Sequence, residues 1–353
     1  MEIHIRTMQP EEAKEALAVY RKSFGFPEGY FSPKPKEAIV AVADGKIVGG
    51  LFYKTKEIAK KKLGYIDFLF TDPAHQGKGI ARKLCAEGFK LMWEQGCNGL
   101  VTFVQDDNVA SWLQFVKHGF VRTSWPKMIK LLGLPGAIQT KLLTTTFGLA
   151  TAYDFYVALP DEAQTAAYEK KACSPTQIAA YMLANLIFFS LLIWSAQDRL
   201  AALIAVAILF LSSICAGYVG TLFSRRKWHF RLNSGGLLVS TFVAIFQVWP
   251  MNGGWYPTQY EDTPKFRRDM ATSSIAVWIF LVAAFLSHLV VQEATPIWQT
   301  IWNLSFFLLI IRFIPINPIS SYGARRILKW SKGAYVIMLA ATAFILFALP
   351  RIL

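Results

Sequence analysis

A run of apolar residues that leads into a glycine-containing loop and then into a helix is the part of this sequence best suited to chemistry. The run ends at Thr71, and the loop Gln76-Gly77-Lys78-Gly79-Ile80-Ala81 opens a helix that continues to about Trp93. Backbone N–H groups at a helix N-terminus, aided by the helix dipole, bind phosphate groups. The loop therefore predicts a phosphate site, with a simple strand-to-helix turn as the alternative.

The elements that must position this loop are those of a mixed α/β domain. Pro10 opens a helix, and Asp44-Gly45 is a turn that joins two strands into a hairpin. The predicted strands are 2–6, 38–43, 46–53, 64–71, 100–105 and 152–158, and the predicted helices begin near residues 10, 79 and 108.

The loop and its surroundings resemble the GNAT acetyltransferase superfamily, whose phosphate loop reads Q/R-x-x-G-x-G/A. The match covers Gln76 to Ala81, the preceding Asp72-Pro73, and the segment from Asn108 to Phe120, which ends in the Gly-Phe pair of the family. The resemblance implies a GNAT-like α/β fold over residues 1–160, with a mixed, mostly antiparallel sheet. It also implies acetyl-CoA as the acyl donor and no metal.

By this resemblance three parts of the chain would hold acetyl-CoA. The backbone of Leu69, Phe70 and Thr71 would pair with the pantetheine arm. Asn108 would help to position the cofactor. The amides that would hold the pyrophosphate belong to Gln76, Gly77, Lys78, Gly79, Ile80 and Ala81.

Acetyl transfer to an amine needs a base for the amine proton. Asp67 is the predicted base, because many GNAT enzymes carry an acidic residue at this place. Period-two alternation along a regular strand puts it on one face with Leu69 and Thr71. An apolar setting would raise its pKa. A structural role for Asp67, as a cap or an ion-pair partner, is an equal alternative.

The reaction also needs an acid for the leaving thiolate. In the family a tyrosine often sits four residues before the glycine of the Gly-Phe pair, and here that position holds Phe115. Phe115 has no proton to give. Tyr65 is the predicted substitute, and His118 is a weaker one. The alternatives are that water protonates the thiolate, or that the domain binds acetyl-CoA without transferring the acetyl group.

An insert at about 126–150 separates the Gly-Phe pair from the last predicted strand. Its segment 127–143 mixes bulky apolar residues with lysines, as segments at a membrane surface do. We expect the insert either to frame the acceptor pocket near a bilayer or to pack as a flap on the second half of the chain.

The second half of the chain has the apolar runs of a membrane domain. Five spans are predicted, at about 177–197, 200–223, 271–291, 297–316 and 333–350. A sixth run, 235–249, is short and is interpreted as re-entrant or interfacial. The basic loops at 225–231, 265–268 and 325–332 are predicted to face the cytosol, as is the N-terminal domain.

The net charge of +14 is explained in part by these basic loops, so we do not infer a nucleic-acid partner. Four scattered cysteines predict neither a disulfide framework nor a zinc site. The first residues lack the apolar core of a secretory signal, so insertion is expected to depend on the later helices.

The spacing of the apolar runs is weakly similar to a degenerate site-2 protease core. The metal ligands of that family are missing, since 216–220 reads Ala-Gly-Tyr-Val-Gly and 319–321 reads Ile-Ser-Ser. Without two histidines and a carboxylate there is no zinc to activate water.

The sequence thus predicts a GNAT-like domain at 1–160, a linker at 161–175 and an all-α multi-pass membrane domain of five or six helices at 176–353. The predicted function is acetyl transfer from acetyl-CoA to an amine borne by a small molecule, a lipid or a membrane protein. The alternative is an acetyl-CoA-binding module that regulates the membrane domain.

Overall fold

The computed structural model describes residues 2–24, 28–30, 35–105, 108–144, 153–170, 173–192, 198–232, 253–261, 263–291, 293, 295–314 and 323–352. The chain divides into two compact units, Met1–Lys170 and Lys171–Leu353. The finer limits of a linker at 161–175 remain a prediction.

The first unit is built on a seven-stranded sheet in the order β1-β2-β3-β4-β5-β7-β6. Its strands are β1 Ile3–Thr7, β2 Glu37–Ala43, β3 Lys46–Ile58, β4 Lys61–Thr71, β5 Gly99–Gln105, β6 Val121–Thr123 and β7 Tyr153–Ala158. The pair β4/β5 is parallel and the other pairs are antiparallel. The predicted mixed, mostly antiparallel sheet is therefore confirmed. Residue 152, the predicted first residue of the last strand, lies outside the described residues.

Helices cover both faces of this sheet. They are α1 Ala13–Phe24, α2 Ile80–Glu94, α3 Val109–Lys117, α4 Trp125–Leu142 and α5 Glu162–Ala167. Leu100 and Val104 of β5 pack in one core cluster with α2, whereas Val101 and Phe103 pack in another with α4. Successive side chains of a strand point to opposite faces, so α2 and α4 lie on opposite sides of the sheet.

The insert forms α4, which packs on the sheet of its own unit. Met128, Leu131 and Leu132 are buried against β4, β5 and β7. The helix bends at Gly133, where φ is 70°, and Pro135 follows. The apolar residues of this face complete the core of the first unit. Whether the insert also packs as a flap on the second half of the chain stays a prediction.

The second unit is mainly helical but not all-α. Its helices are α6 Ser174–Leu192, α7 Arg199–Thr221, α8 Pro264–Leu286, α9 Pro296–Arg312, α10 Ala324–Trp330, α11 Lys332–Ala343 and α12 Leu349–Ile352. The strands β8 Trp228–Leu232 and β9 Gly253–Pro257 form an antiparallel pair. The prediction of an all-α domain was wrong here, because the two segments that flank 233–252 pair as strands.

Two helices in the described part of the chain are long and apolar enough to cross a membrane, Arg199–Thr221 and Pro264–Leu289. They coincide with two of the five predicted spans. Helices also occupy the other three predicted positions, and their crossing of a membrane remains a prediction. The doubtful run at 235–249 lies outside the described residues.

Candidate active site

Strands β4 and β5 pair over only part of their length. The described register runs from Leu63↔Gly99 to Ile66↔Thr102, and there the Thr102 hydroxyl donates to the Ile66 carbonyl at 3.0 Å. Beyond this point β5 continues to pair with β7, and β4 continues to pair with β3. A gap therefore opens between β4 and β5 from Asp67 onward, among the residues that the structure describes.

The backbone of Leu69 is directed at this gap. The Asp72 N–H donates to the Val48 carbonyl on β3 at 2.9 Å. In an antiparallel ladder alternate residues bond to the same neighbour, so Phe70 also points to β3, and Leu69 and Thr71 point away from it. The Thr71 carbonyl accepts a bond from the Ser23 hydroxyl at 3.0 Å. Of Leu69, Phe70 and Thr71, Leu69 is therefore the residue whose backbone N–H and carbonyl groups are directed at the gap and can pair with an extended ligand.

The Phe70 side chain is a core residue rather than a ligand contact. It is 3% exposed and packs against the rings of Tyr20 and Phe52, at centroid distances of 5.7 and 4.8 Å. Since the backbone of Phe70 bonds to β3 and its side chain lies in the core, the predicted contact of Phe70 with the ligand remains a prediction.

The glycine loop leaves open space at the start of α2. Gly77 and Gly79 adopt φ of 80° and 74°, in the region that favours glycine, and a Cβ added at either would meet nothing within 4 Å. Gly79 is the N-cap residue and supplies no side-chain cap. Within the described part of the chain, the first amides of α2, including those of Ile80 and Ala81, therefore have no intrahelical or capping acceptor, which is the arrangement that binds anions.

Cations surround the loop. Lys78, Arg82 and Lys83 are exposed on the loop and the first turn of α2. Before the loop, Asp72 accepts a bond from the Ala74 N–H at 2.9 Å and pairs with Lys22 at 2.8 Å, which lowers the pKa of Asp72. This carboxylate shapes the turn, while the three exposed cations favour a ligand that carries phosphates.

Asn108 has a structural role that the sequence did not reveal. It is the N-cap of α3, and its side-chain oxygen accepts a bond from the Ser111 N–H at 3.3 Å. A contact between Asn108 and a cofactor is still a prediction.

A β-bulge places Asp67. Phe52 is opposite Phe68 and Tyr53 is opposite Ile66, so Asp67 is the extra residue of β4. The bulge interrupts the alternation of side chains along the strand. Asp67 contacts Lys54 on the α4 side of the sheet, whereas Leu69 packs on the α2 side. The expectation that Asp67 shares a face with Leu69 and Thr71 was therefore wrong.

The Asp67 carboxylate is buried beside a lysine and a tyrosine. Its side chain is 6% exposed, and Oδ2 lies 2.6 Å from Lys54 Nζ. Burial raises the pKa of Asp67, while the charge of Lys54 and hydrogen bonds from Lys54 and Tyr65 act against this rise. The carboxylate is suited to proton exchange, and it is equally the partner in a buried ion pair, so both interpretations of Asp67 stay open.

The structure brings Tyr65 to Asp67 but leaves His118 elsewhere. Tyr65 is 2% exposed, and its ring lies 5.8 Å from that of Phe103 on the α4 side. The His118 ring packs on Phe89 of α2, with its Nδ1 2.8 Å from the Gln114 carbonyl oxygen. Phe115 is buried in the same cluster. Tyr65 is thus the candidate acid that can act together with Asp67.

The sequence reasoning missed two lysines. Lys54 on β3 pairs with Asp67 and also donates to the Leu143 carbonyl at 3.2 Å. Lys141 in α4 is fully buried, with its Nζ 4.5 Å from the Phe103 ring centroid and without a hydrogen-bond partner in the described structure. Burial lowers the pKa of Lys141 to about 7. The hairpin pairing hints at Lys54, but no pattern in the sequence marks Lys141 as buried.

The fold and the site define an α/β domain with an extended gap between strands and an adjoining phosphate-binding loop. Residues 2–120 match the family model described as the acetyltransferase (GNAT) family. The first unit therefore contains a GNAT acetyltransferase domain, and acetyl-CoA is the acyl donor of that family. The predicted family resemblance and cofactor are confirmed at this level.

One curated relative is mycothiol acetyltransferase of Amycolatopsis mediterranei (strain U-32), which is 28% identical over 83 residues. The match covers 22% of this chain and 28% of that relative, so the chain spans well under half the length of the protein it matches.

Two solved structures are also similar to the chain. The ribosomal-protein-S18-alanine N-acetyltransferase of Escherichia coli is 15% identical, with a TM-score of 0.30 over 35% of this chain and 80% of that one. A GNAT family acetyltransferase of Brucella melitensis in complex with acetyl-CoA is 22% identical, with a TM-score of 0.27 over 31% of this chain and 81% of that one.

Proposed function

We propose that this protein is a membrane-anchored N-acetyltransferase that transfers an acetyl group from acetyl-CoA to an amine. The observation that carries the proposal is the gap between β4 and β5, which opens on the strand that leads to the uncapped start of α2. An extended arm and a pyrophosphate, joined in one ligand, suit two such adjoining sites. The residues on both sites fit acetyl-CoA.

In this proposal the chain holds the donor mainly through its backbone. The Leu69 groups pair with the pantetheine arm, and the amides from Gln76 to Ala81 hold the pyrophosphate. Lys78, Arg82 and Lys83 balance the phosphate charge. Bound acetyl-CoA supplies a thioester as the acyl source.

Asp67 then takes the proton of the acceptor amine, and Tyr65, which is hydrogen-bonded to it, provides the proton for the leaving thiolate. Because Lys54 occupies the Asp67 carboxylate at 2.6 Å, the incoming ammonium has to replace the Lys54 contact. An amine that carries a positive charge until it reaches Asp67 is suited to that exchange.

Three features support a membrane anchor and a membrane-borne acceptor. Two helices of the second unit are long and apolar enough to cross a bilayer. The exposed side of α4 carries Leu134, Ile138 and Leu142 at helical spacing, which suits contact with lipid. The basic loops favour a cytosolic first unit, where acetyl-CoA is supplied. The acceptor would then be a lipid, a membrane protein or a small amine.

The test is acetyl-CoA binding by the full chain in neutral detergent, measured by titration calorimetry. Gly79→Glu should abolish binding, since it places bulk and negative charge in the open space of the loop. Gly45→Glu is the matched control, because Gly45 also has a positive φ of 76° and open space but lies in the β2–β3 turn. Equal affinity in the two variants would refute the site.

A second candidate function is regulation of the second unit by acetyl-CoA binding without transfer. Phe115 favours it, because this buried side chain stands where the family often has its tyrosine acid. Labelled acetyl-CoA and a membrane extract distinguish the two functions. Label that moves to an extracted amine supports transfer, whereas binding without any labelled product supports regulation.

Proteolysis is not proposed. Among the described residues, no group of three or more His, Cys, Asp and Glu side chains is placed to hold a metal ion. The weak similarity to a degenerate protease core therefore adds no activity to the proposal.

A further inference from the structure

The second unit encloses a small cavity with a volume of about 30 Å³. It lies between α7, α8, the start of β9 and the ends of α9 and α10. Its polar lining includes Ser213 of α7, Ser273 and Ser274 of α8, Arg312 of α9 and Arg326 of α10. The two longest apolar helices of the chain thus share a polar, cationic cavity.

Among the residues that the structure describes, the lining carries two guanidinium groups and no carboxylate. Two described carboxylates of this unit bind another arginine instead: Asp269 lies 2.9 Å and Glu261 3.0 Å from Arg226. A third, Asp198, caps the first turn of α7. Charged groups among apolar helices are costly to bury, and they commonly mark a site of function. The electrostatic potential of this cavity favours an anion.

Arg326 is held so that it faces the cavity. One guanidinium nitrogen donates to the Trp255 carbonyl at 3.1 Å, and the guanidinium stacks at 4.3 Å from the ring centroid of the buried Tyr256. Arg231 stacks on the same ring at 4.2 Å. Holding two guanidinium groups against one ring brings like charges together, and a nearby anion would offset their repulsion.

Glycines keep the cavity open on the side of Arg312. Gly323 adopts φ of 118°, and a Cβ there would lie 3.0 Å from the Ser274 hydroxyl oxygen and 3.9 Å from Arg312. A Cβ at Gly254 would lie 3.8 Å from two nitrogens of Arg326. Side chains at these positions would fill the space between the arginines and Ser274.

We propose that this cavity binds a single oxyanion group, a phosphate or a carboxylate, through Arg312, Arg326 and the Ser274 hydroxyl. Guanidinium groups donate paired N–H bonds that match two oxygens of such a group. The volume admits one oxyanion group and excludes a nucleotide, since a single water already needs roughly 10–15 Å³ of such space. The oxyanion is either free in solution or carried by an anionic phospholipid.

The experiment uses the full chain in neutral detergent and measures its thermal unfolding. Inorganic phosphate is titrated against sodium chloride at equal ionic strength, and in a second arm phosphatidylglycerol is titrated against phosphatidylcholine. A saturable rise in Tm with phosphate shows a free-anion site, and a saturable rise with phosphatidylglycerol alone shows a lipid headgroup site. Either rise supports the proposal, and neither rise refutes it.

Variants tie the effect to the cavity. Arg326→Gln should weaken binding at least tenfold and Ser274→Ala about threefold. Arg325→Gln, on the same helix but outside the lining, should bind as the wild type does. If Arg326→Gln does not fold, Arg326→Lys and Ser274→Ala provide the test. The assignment would be refuted if Ser274→Ala and one of the two Arg326 variants each bound the anion with wild-type affinity.

Discussion

The pair formed by Lys54 and Asp67 makes a quantitative prediction about stability. Lys54→Met removes the cation and leaves a carboxyl group that is 6% exposed, so the pKa of Asp67 in the folded state should rise further above its unfolded value. We expect the first unit to lose stability at neutral pH and to regain part of it in acid.

The loss of stability in Lys54→Met has an upper limit, because the carboxyl group of Asp67 can take up a proton instead of staying charged. Protonating a group with an unfolded pKa of about 3.9 costs about 4 kcal/mol at pH 7 and about 1.5 kcal/mol at pH 5. Breaking a buried ion pair costs roughly 3–5 kcal/mol, but Lys54 is 32% exposed, so solvent screening lowers that value. We expect a loss of about 3 kcal/mol at pH 7.

The sign of the pH dependence follows from proton binding. Between the unfolded and folded pKa values the folded state binds more protons, so folding becomes more favourable as pH falls. The loss in Lys54→Met should therefore shrink to about 2 kcal/mol at pH 5, which combines the smaller cost of protonating Asp67 with the lost hydrogen bond to the Leu143 carbonyl.

Hydrogen exchange of peptides from β3 and β4, corrected for pH, measures this stability within the full chain. Lys56→Met, at an exposed lysine on the same strand, is the matched control and should change little. Adding Asp67→Asn to Lys54→Met should remove most of the pH dependence. A loss of equal size at pH 5 and pH 8 would refute the account.

Three further predictions concern catalysis, burial and topology. Asp67→Asn should slow acetyl transfer roughly a hundredfold at neutral pH and leave the affinity for acetyl-CoA unchanged. The defect should shrink at higher pH, where more of the amine is uncharged. Wild-type turnover in this variant would exclude Asp67 as the base. The wild type should become more stable from pH 7 to pH 10, because the pKa of Lys141 is about 7 in the folded chain and the unfolded chain binds more protons in that range. Lys141→Met should remove this rise in the free energy of unfolding. Parallel pH profiles of the two proteins would contradict the prediction. If all five predicted spans cross the membrane, the C-terminus should lie opposite the first unit, which is predicted to be cytosolic. Labelling of a C-terminal tag from the cytosolic side would contradict this and would favour 235–249 as a further span.

Local chemistry made the cofactor loop predictable. Asp44-Gly45 and the glycines of the loop are marked by φ angles of 49° to 80°, which few other residue types adopt readily. The same reasoning fails at the β3–β4 turn, where Ala59 and Lys60 have φ of 53° and 61° without a glycine. Strand pairing there overrides local preference, and β3 is longer than predicted.

The catalytic side was less predictable because it depends on one extra residue. Strand alternation places a side chain correctly only in a regular strand, and the bulge at Asp67 moves the carboxylate to the opposite face. The site also depends on a contact between residues far apart in the sequence, since Lys54 of β3 donates to the Leu143 carbonyl at the end of α4. Apolar periodicity alone likewise could not tell that α4 buries Met128 and Lys141 in its own unit.

The order of the strands bears on how the first unit is made during synthesis. Strands β1 to β4 lie in the sheet in the same order as in the chain, so each can pair with the preceding strand as soon as it leaves the ribosome. The antiparallel partner of β5 is β7, whose residues Tyr153–Ala158 emerge after α3, β6 and α4. The gap between β4 and β5 is therefore bounded on one side by a strand whose other neighbour, β7, emerges late. A ribosome stalled before Ala158 should carry a folded meander that cannot yet retain acetyl-CoA.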